Sequence, residues 1–187
     1  MTIINLRNRA YVLIVTVFFI TLTAMAKHMT EPAFVAKTEK EFVIAMNNCL
    51  DYLEKNLRKE QKVNRKLVIT QAALESNFGR SRFAIEGNNL FGIRQFANLE
   101  EGMLPERVPS TVKWRVAKFD SKCKSVQYYI NLLNYNANYE DFRRERTYQL
   151  IANINIPMRY FGKLDRFATN PKYPQLLFET YKDIEKI

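Results

Sequence analysis

Histidine is almost missing from this 187-residue chain, which has one, His28. A lone imidazole, placed beside the N-terminal apolar run, disfavours zinc hydrolases built on histidine ligands and any His-dependent triad. Cysteine is nearly as scarce, with Cys49 and Cys123 only, so neither is read as a metal ligand and no metal or cofactor is expected. There is no internal repeat and no low-complexity tract. Like charges form no block either: 29 Lys and Arg stand against 19 Asp and Glu, scattered along the chain for a net charge of +10. That bias suits anionic surroundings such as lipid headgroups or an acidic polymer. With no helix-turn-helix and no aromatic-basic RNA motif, nucleic acid is not an expected partner. Apolar residues make up 47% of the chain, which argues against disorder.

What is present begins with a long apolar run. Arg7 and Arg9 precede the uncharged stretch from Ala10 to Ala26, "AYVLIVTVFFITLTAMA", and Lys27 restores charge after the small-residue end Ala24-Met25-Ala26. This is the pattern of a secretory signal. The run is also just long enough to cross a bilayer, so residues 10–26 would serve as an anchor if retained. The expected organisation is a signal or anchor at 1–26, a linker at 27–37 and one domain at 38–187, placed in the periplasm or cell envelope. An exported setting permits a Cys49–Cys123 disulfide. Both cysteines also lie on apolar helical stripes, where cysteine serves as a small core residue.

Thr38 followed by Glu41 is a capping-box signature. Phe42, Met46, Cys49, Leu50, Leu53 and Leu57 then recur at helical spacing. Asn64 opens a second apolar helix that ends around Asn77, with Gly79 where a C-terminal stop belongs. From Ile93 to Phe119 the pattern changes. Gly102, Pro105 and Pro109 punctuate it, and Val112, Trp114 and Val116 alternate with Lys113, Arg115 and Ala117, as in a small irregular β-rich lobe. Asp120 or Ser121 caps a helix carrying Val126, Tyr129, Ile130 and Leu133. Another helix begins near Asn138 and a last one follows Pro174. The fold class is α+β, predominantly helical.

Chemistry centres on Glu75. It ends a helix that is apolar on most sides, so partial desolvation should raise its pKa, and the helix C-terminus presents negative partial charge to it. Both favour the protonated form that a general acid needs. Arg80 and Arg82 would oppose this if they pointed inward.

The segment Glu75-Ser76-Asn77-Phe78-Gly79-Arg80-Ser81, followed by Gly87-Asn88-Asn89-Leu90-Phe91-Gly92-Ile93, resembles the signature of endo-β-N-acetylglucosaminidases of the flagellar and autolysin type, among them Bax-like exported proteins. Phe119-Asp120-Ser121 is similar to the family's strand-to-helix junction. "LDRFATNPKY", from Leu164 to Tyr173, is similar to its Tyr-Ala-Thr-Asp-Pro-x-Tyr segment. The resemblance extends from about Thr38 to Ile187.

It implies a lysozyme-like fold with a small β lobe, and hydrolysis of the glycosidic bond after N-acetylglucosamine in peptidoglycan. Glu75 would be the general acid. A second carboxylate from the β lobe, Glu100, Glu101 or preferably Glu106, would activate water or stabilise the oxocarbenium ion. Asn88, Asn89, Tyr139, Tyr173 and Trp114 are the expected substrate-binding residues. The two asparagines would shape the turn behind the cleft, and Trp114 would either stack on a sugar or pack in the core. Phe167 replaces the family's tyrosine before Ala-Thr, leaving Tyr173, Tyr160 or Tyr139 to supply a phenol. The expected partner is the glycan strand, and the expected state is a monomer. Two rivals remain. One is a lytic transglycosylase, although those enzymes carry a Gly-Leu-Met-Gln-like strand where this chain has Asn-Asn-Leu-Phe-Gly. The other is a wall-binding module without turnover.

Overall fold

The computed structural model describes residues 30–187 apart from Asp165 and Thr169. The expected signal or anchor at 1–26 and the first three linker residues lie outside the described residues. Pro32–Ile187 forms one compact unit. Residues 32–37, expected as linker, carry Phe34 and Ala36 onto the core, with the Phe34 ring edge-on to Phe42 at 5.7 Å.

Helix α1 (Glu39–Glu54) starts where its capping residues require. The Glu41 amide donates to Thr38 Oγ1 at 3.2 Å, and Glu41 Oε2 accepts from the Thr38 and Lys37 amides at 3.1 and 2.7 Å. Those backbone donors hold the Glu41 carboxyl below its ordinary pKa. Its apolar stripe, Phe42, Met46, Cys49, Leu50 and Leu53, is buried as the spacing predicts. Helix α2 (Arg65–Ser76) is capped by Asn64, which accepts from the Leu67 amide at 3.1 Å. From Leu67 to Ala73 every residue of α2 is buried, so this is the central helix of the unit. It stops at Asn77, in the left-handed region with φ 51°, rather than at Gly79. The left-handed path continues through Phe78 (φ 53°) and Gly79 (φ 77°) before the short helix α3 (Arg82–Glu86). Gly79 is needed there, since a Cβ would also sit 3.2 Å from the Phe42 ring.

The β lobe is thinner than the alternation at Val112–Val116 implies. Strand β1 (Arg94–Gln95) pairs antiparallel with β2 (Arg115–Val116), in the register Arg94↔Val116 and Gln95↔Arg115. Met103 adds one isolated bridge to Val116. The rest is turns, because Pro105 and Pro109 lack amide donors and Arg107 takes φ 61°. Arg115 also turns its guanidinium back onto the Val112, Trp114 and Ser110 carbonyls.

Ser121 caps helix α4 (Lys122–Tyr135), accepting from the Lys124 amide at 3.1 Å. A 3-10 turn at Ala137–Tyr139 leads into α5 (Glu140–Ile151), and a longer one at Pro157–Lys163 precedes α6 (Tyr173–Ile184). Helix α1 packs on α4, and there Cys49 and Cys123 are both buried and joined as a disulfide, their Cα atoms 5.6 Å apart. Both sequence readings of the cysteines therefore hold together. Helix α2 packs on α6 in antiparallel fashion: Lys66 near the start of α2 pairs with Glu185 just past the end of α6 at 2.5 Å, and the end of α2 meets the start of α6. The unit is α+β with helix dominant. Among the described residues no helix is long and apolar enough to cross a membrane.

Candidate active site

The antiparallel α2–α6 pair brings Glu75 and Tyr173 together. Tyr173 Oη donates to Glu75 Oε1 at 2.6 Å, across 98 residues of sequence. The same hydroxyl accepts from Gln71 Nε2 at 2.8 Å, and Gln71 Oε1 in turn accepts from the Tyr129 hydroxyl. Gln71 is fully buried one turn before Glu75, and Tyr129 and Tyr173 are buried as well. The result is a chain of side chains, Tyr129–Gln71–Tyr173–Glu75, linking α4, α2 and α6. Tyr129 is fixed by stacking on Phe91, with ring centroids 4.1 Å apart and planes within 1°.

Glu75 itself is half-buried, and burial raises its pKa while the Tyr173 hydrogen bond pulls it down, burial being the larger effect. Burial drives the Tyr173 and Tyr129 hydroxyls far above the usual tyrosine range, so both remain proton donors to their partners. With Oε1 occupied by Tyr173, Oε2 is the oxygen left to carry a transferable proton. The two arginines that could have opposed this turn elsewhere. Arg80 pairs with Glu39 at 2.9 Å, and Arg82 donates to the Leu104 carbonyl at 2.6 Å.

Directly after Glu75 the chain is tied down by Ser76. Its hydroxyl donates to the Ala72 carbonyl at 2.5 Å and accepts from the Gly79 amide at 2.8 Å, and its carbonyl accepts from the Ser81 amide at 2.8 Å. A bulky residue at positive φ, Phe78, is held in this turn, and such backbone strain concentrates at functional sites.

The Asn-Asn loop is a structural latch. Asn89 is 1% exposed; its amide group donates to the Ile93 and Ala117 carbonyls at 3.0 and 2.8 Å, and its Oδ1 accepts from the Phe91 and Ile93 amides. Asn88, at φ 52°, donates to the Phe119 carbonyl at 2.9 Å. These residues close the loop onto the β lobe and onto the start of α4, where the Leu90 amide donates to Ser125 Oγ at 3.0 Å. The polar atoms of Asn89, expected among the substrate-binding residues, are buried and hydrogen-bonded to the backbone.

The other expected residues are dispersed. Tyr173 is buried and its hydroxyl is held against Glu75. Tyr139 is 5% exposed in the 3-10 turn before α5, and Tyr160 packs against Phe142 with centroids 5.0 Å apart. Of the three candidate phenols, Tyr173 is the one that reaches Glu75. Phe167 packs edge-on to Tyr129 at 5.8 Å and roughly parallel to Tyr173 at 6.2 Å, so it walls the relay without extending it. Trp114 is half-buried, lies outside the core cluster, and carries the Arg94 guanidinium 4.1 Å over its ring. Glu100, Glu101 and Glu106 are all exposed, the last with its carboxylate 4.0 Å from Arg82 Nε. No ion pair or hydrogen bond ties any of them to Glu75. Among the described residues no cluster of His, Cys, Asp and Glu is suited to a metal ion.

Sequence reasoning missed Gln71 and Tyr129. The available signal was a glutamine four residues before Glu75 on an otherwise apolar helix, where a buried amide requires partners.

Residues 53–186 match the family model described as mannosyl-glycoprotein endo-beta-N-acetylglucosaminidase. Over 123 residues the chain is 32% identical to Protein bax of Escherichia coli (strain K12), a match covering 65% of this chain and 43% of that relative's length. The fold is similar to the catalytic domain of the autolysin Auto from Listeria monocytogenes, with TM-score 0.59 and 22% identity, covering 87% of this chain and 93% of that one. It is also similar to the glycoside hydrolase domain of Salmonella typhimurium FlgJ, with TM-score 0.54 and 20% identity, covering 80% and 89% of the two chains.

Proposed function

Because this chain belongs to the mannosyl-glycoprotein endo-beta-N-acetylglucosaminidase family, whose domains are glycoside hydrolases, we propose that it is an exported peptidoglycan hydrolase cleaving the glycosidic bond after N-acetylglucosamine. The observation that carries the reading is the half-buried Glu75 held by Tyr173. Protonated Glu75 delivers its proton to the leaving glycosidic oxygen as the C–O bond breaks, and water completes the sugar product. The Tyr129–Gln71–Tyr173 chain fixes the carboxyl's orientation and leaves one oxygen to act. Glu106 is our choice for the second carboxylate, which would activate that water or stabilise the cationic transition state, since it stands in the proline-bounded turn of the β lobe. The Arg7/Arg9 start and the apolar run to Ala26 support export, and a reporter fused after Lys37 should be active only outside the cytoplasm.

Mass analysis of digested peptidoglycan tests the reaction. Wild-type protein should release fragments with reducing N-acetylglucosamine ends; Glu75→Gln should release almost none, and Glu106→Gln should be slowed. One observation favours a lytic transglycosylase as second reading: Glu75 alone among the candidate acids has a fixed, buried partner, and that reaction needs a single acid. Anhydro-muramic ends would establish it in place of the hydrolase.

A further inference from the structure

A second pocket, of about 650 Å³, shares no lining residue with the Glu75 site. It opens between the start of α2 and the second half of α5. Five cations line it, Lys59, Lys62, Arg65, Lys66 and Arg146, against one carboxylate, Glu185. Three of those cations are already paired: Lys62 and Arg65 with Glu54 at 3.9 and 2.8 Å, and Lys66 with Glu185 at 2.5 Å.

Arg146 is different. It is 8% exposed, and among the described residues no carboxylate lies within ion-pair distance of it. Its Nη1 donates to the neutral Asn134 Oδ1 at 2.5 Å, and its Cζ lies 5.7 Å from the centre of the Phe142 ring. None of its nitrogens is sealed away without a partner, so the guanidinium donors that Asn134 does not take are open to an acceptor in the pocket it lines. The first turn of α2 adds to the same field. It contains Arg65 and Lys66 and no acidic residue, whereas α1 places Glu39 and Glu41 in its first turn. The positive end of this 12-residue helix, capped by the neutral Asn64, thus carries no acidic side chain in its first turn.

The wall also has an apolar part, Val63, Ile69, Ile154 and Ile184, and amides whose hydrogen-bonding capacity is half used. Asn47 spends its N–H group on the Val43 carbonyl at 3.0 Å, and Asn155 accepts from Asn64. An inorganic anion would leave the aliphatic wall uncovered, and an acyl chain would bury these amides without partners. A peptide satisfies all three chemistries at once.

We infer that this pocket binds a short peptide with a free carboxylate, the carboxylate at Arg146 and the small apolar side chains on the aliphatic wall. The inference rests on the proposed hydrolase reading only for the source of that peptide, since peptidoglycan strands carry peptides with free carboxylates. The pocket would let the enzyme hold a strand by its peptide while Glu75 acts on the glycan.

Calorimetric titration of the full chain tests it, using diacetyl-lysyl-alanyl-alanine as free acid and as C-terminal amide. The acid should bind at least tenfold more tightly than the amide, and Arg146→Gln should abolish the difference. Lys59→Glu changes an exposed rim residue, so it decides the matter if the Arg146 variant does not fold; it should weaken the acid severalfold. On intact peptidoglycan Arg146→Gln should raise KM, while cleavage of peptide-free glycan strands is unchanged. Equal binding of acid and amide overturns the proposal. So does binding of inorganic phosphate or of phosphatidylglycerol vesicles with none of the peptide. A chain that binds the peptide acid yet cleaves no glycan would sink the hydrolase reading and leave this one standing.

Discussion

Glu75 feels two opposed influences, burial that raises its pKa and the Tyr173 hydroxyl that lowers it, and each can be removed separately. Glu75→Gln keeps the shape and loses the proton, so turnover should fall on the order of 10²–10⁴-fold. Stability moves the other way. A group whose folded pKa is raised binds its proton more tightly in the folded state, so stability is fully present below the unfolded value and is lost as pH rises through the folded one. The glutamine has no such loss. Melting curves of the two proteins should coincide below pH about 4 and separate in favour of Glu75→Gln as pH rises. Tyr173→Phe removes the donor to the carboxylate. That raises the Glu75 pKa further, so the alkaline limb of the pH–rate profile should move to higher pH while kcat falls. A limb that stays put or moves to lower pH would show that Tyr173 does not set the acid's proton affinity.

At the scale of elements, the loop from Asn88 to Ile93 and the ends of the β strands are held by one side chain. Asn89→Ala would strand the Ile93 amide and the Ile93 and Ala117 carbonyls in a buried site, costing about 2–3 kcal/mol even with partial relaxation. For a domain of this size that is a drop in Tm of roughly 5–10 °C. A residue that only touched substrate would raise KM and leave Tm unchanged, so the melting curve separates the two roles. Helix ends were legible at this scale because their signals are local: Thr38 with Glu41, Asn64, and Ser121 each cap the helix that the sequence assigned to them. The β lobe was overread, because alternation at Val112, Trp114 and Val116 says nothing about whether a partner strand is long enough to use it.

Across the whole molecule, the Cys49–Cys123 bridge closes a loop of 74 residues between α1 and α4. Closing so long a loop restricts the unfolded chain by about 4 kcal/mol in the entropic account. Replacing both residues by alanine should lower Tm by roughly 10 °C, and wild-type protein unfolded and refolded under reductant should match the double variant. An unchanged Tm would mean that the two sulfurs contribute as buried core atoms alone.

The sequence by itself determined the helices, their caps, the helix-dominant class and the choice of Glu75 as candidate acid, because each depends on residues within a few positions of one another. An apolar helix surrounding a carboxylate already implies a raised pKa. Only tertiary structure decided what Glu75 touches. Tyr173 stands 98 residues away, and its choice over Tyr139 and Tyr160 follows from α2 and α6 running antiparallel. The same holds for Gln71 as the link to Tyr129, and for Asn89 as the latch between the loop and the β lobe. It holds too for the gathering of Arg146, Lys59 and the start of α2 around one pocket. Hydrogen bonds between distant residues leave no periodicity in the chain, so their partners appear only once the helices have packed.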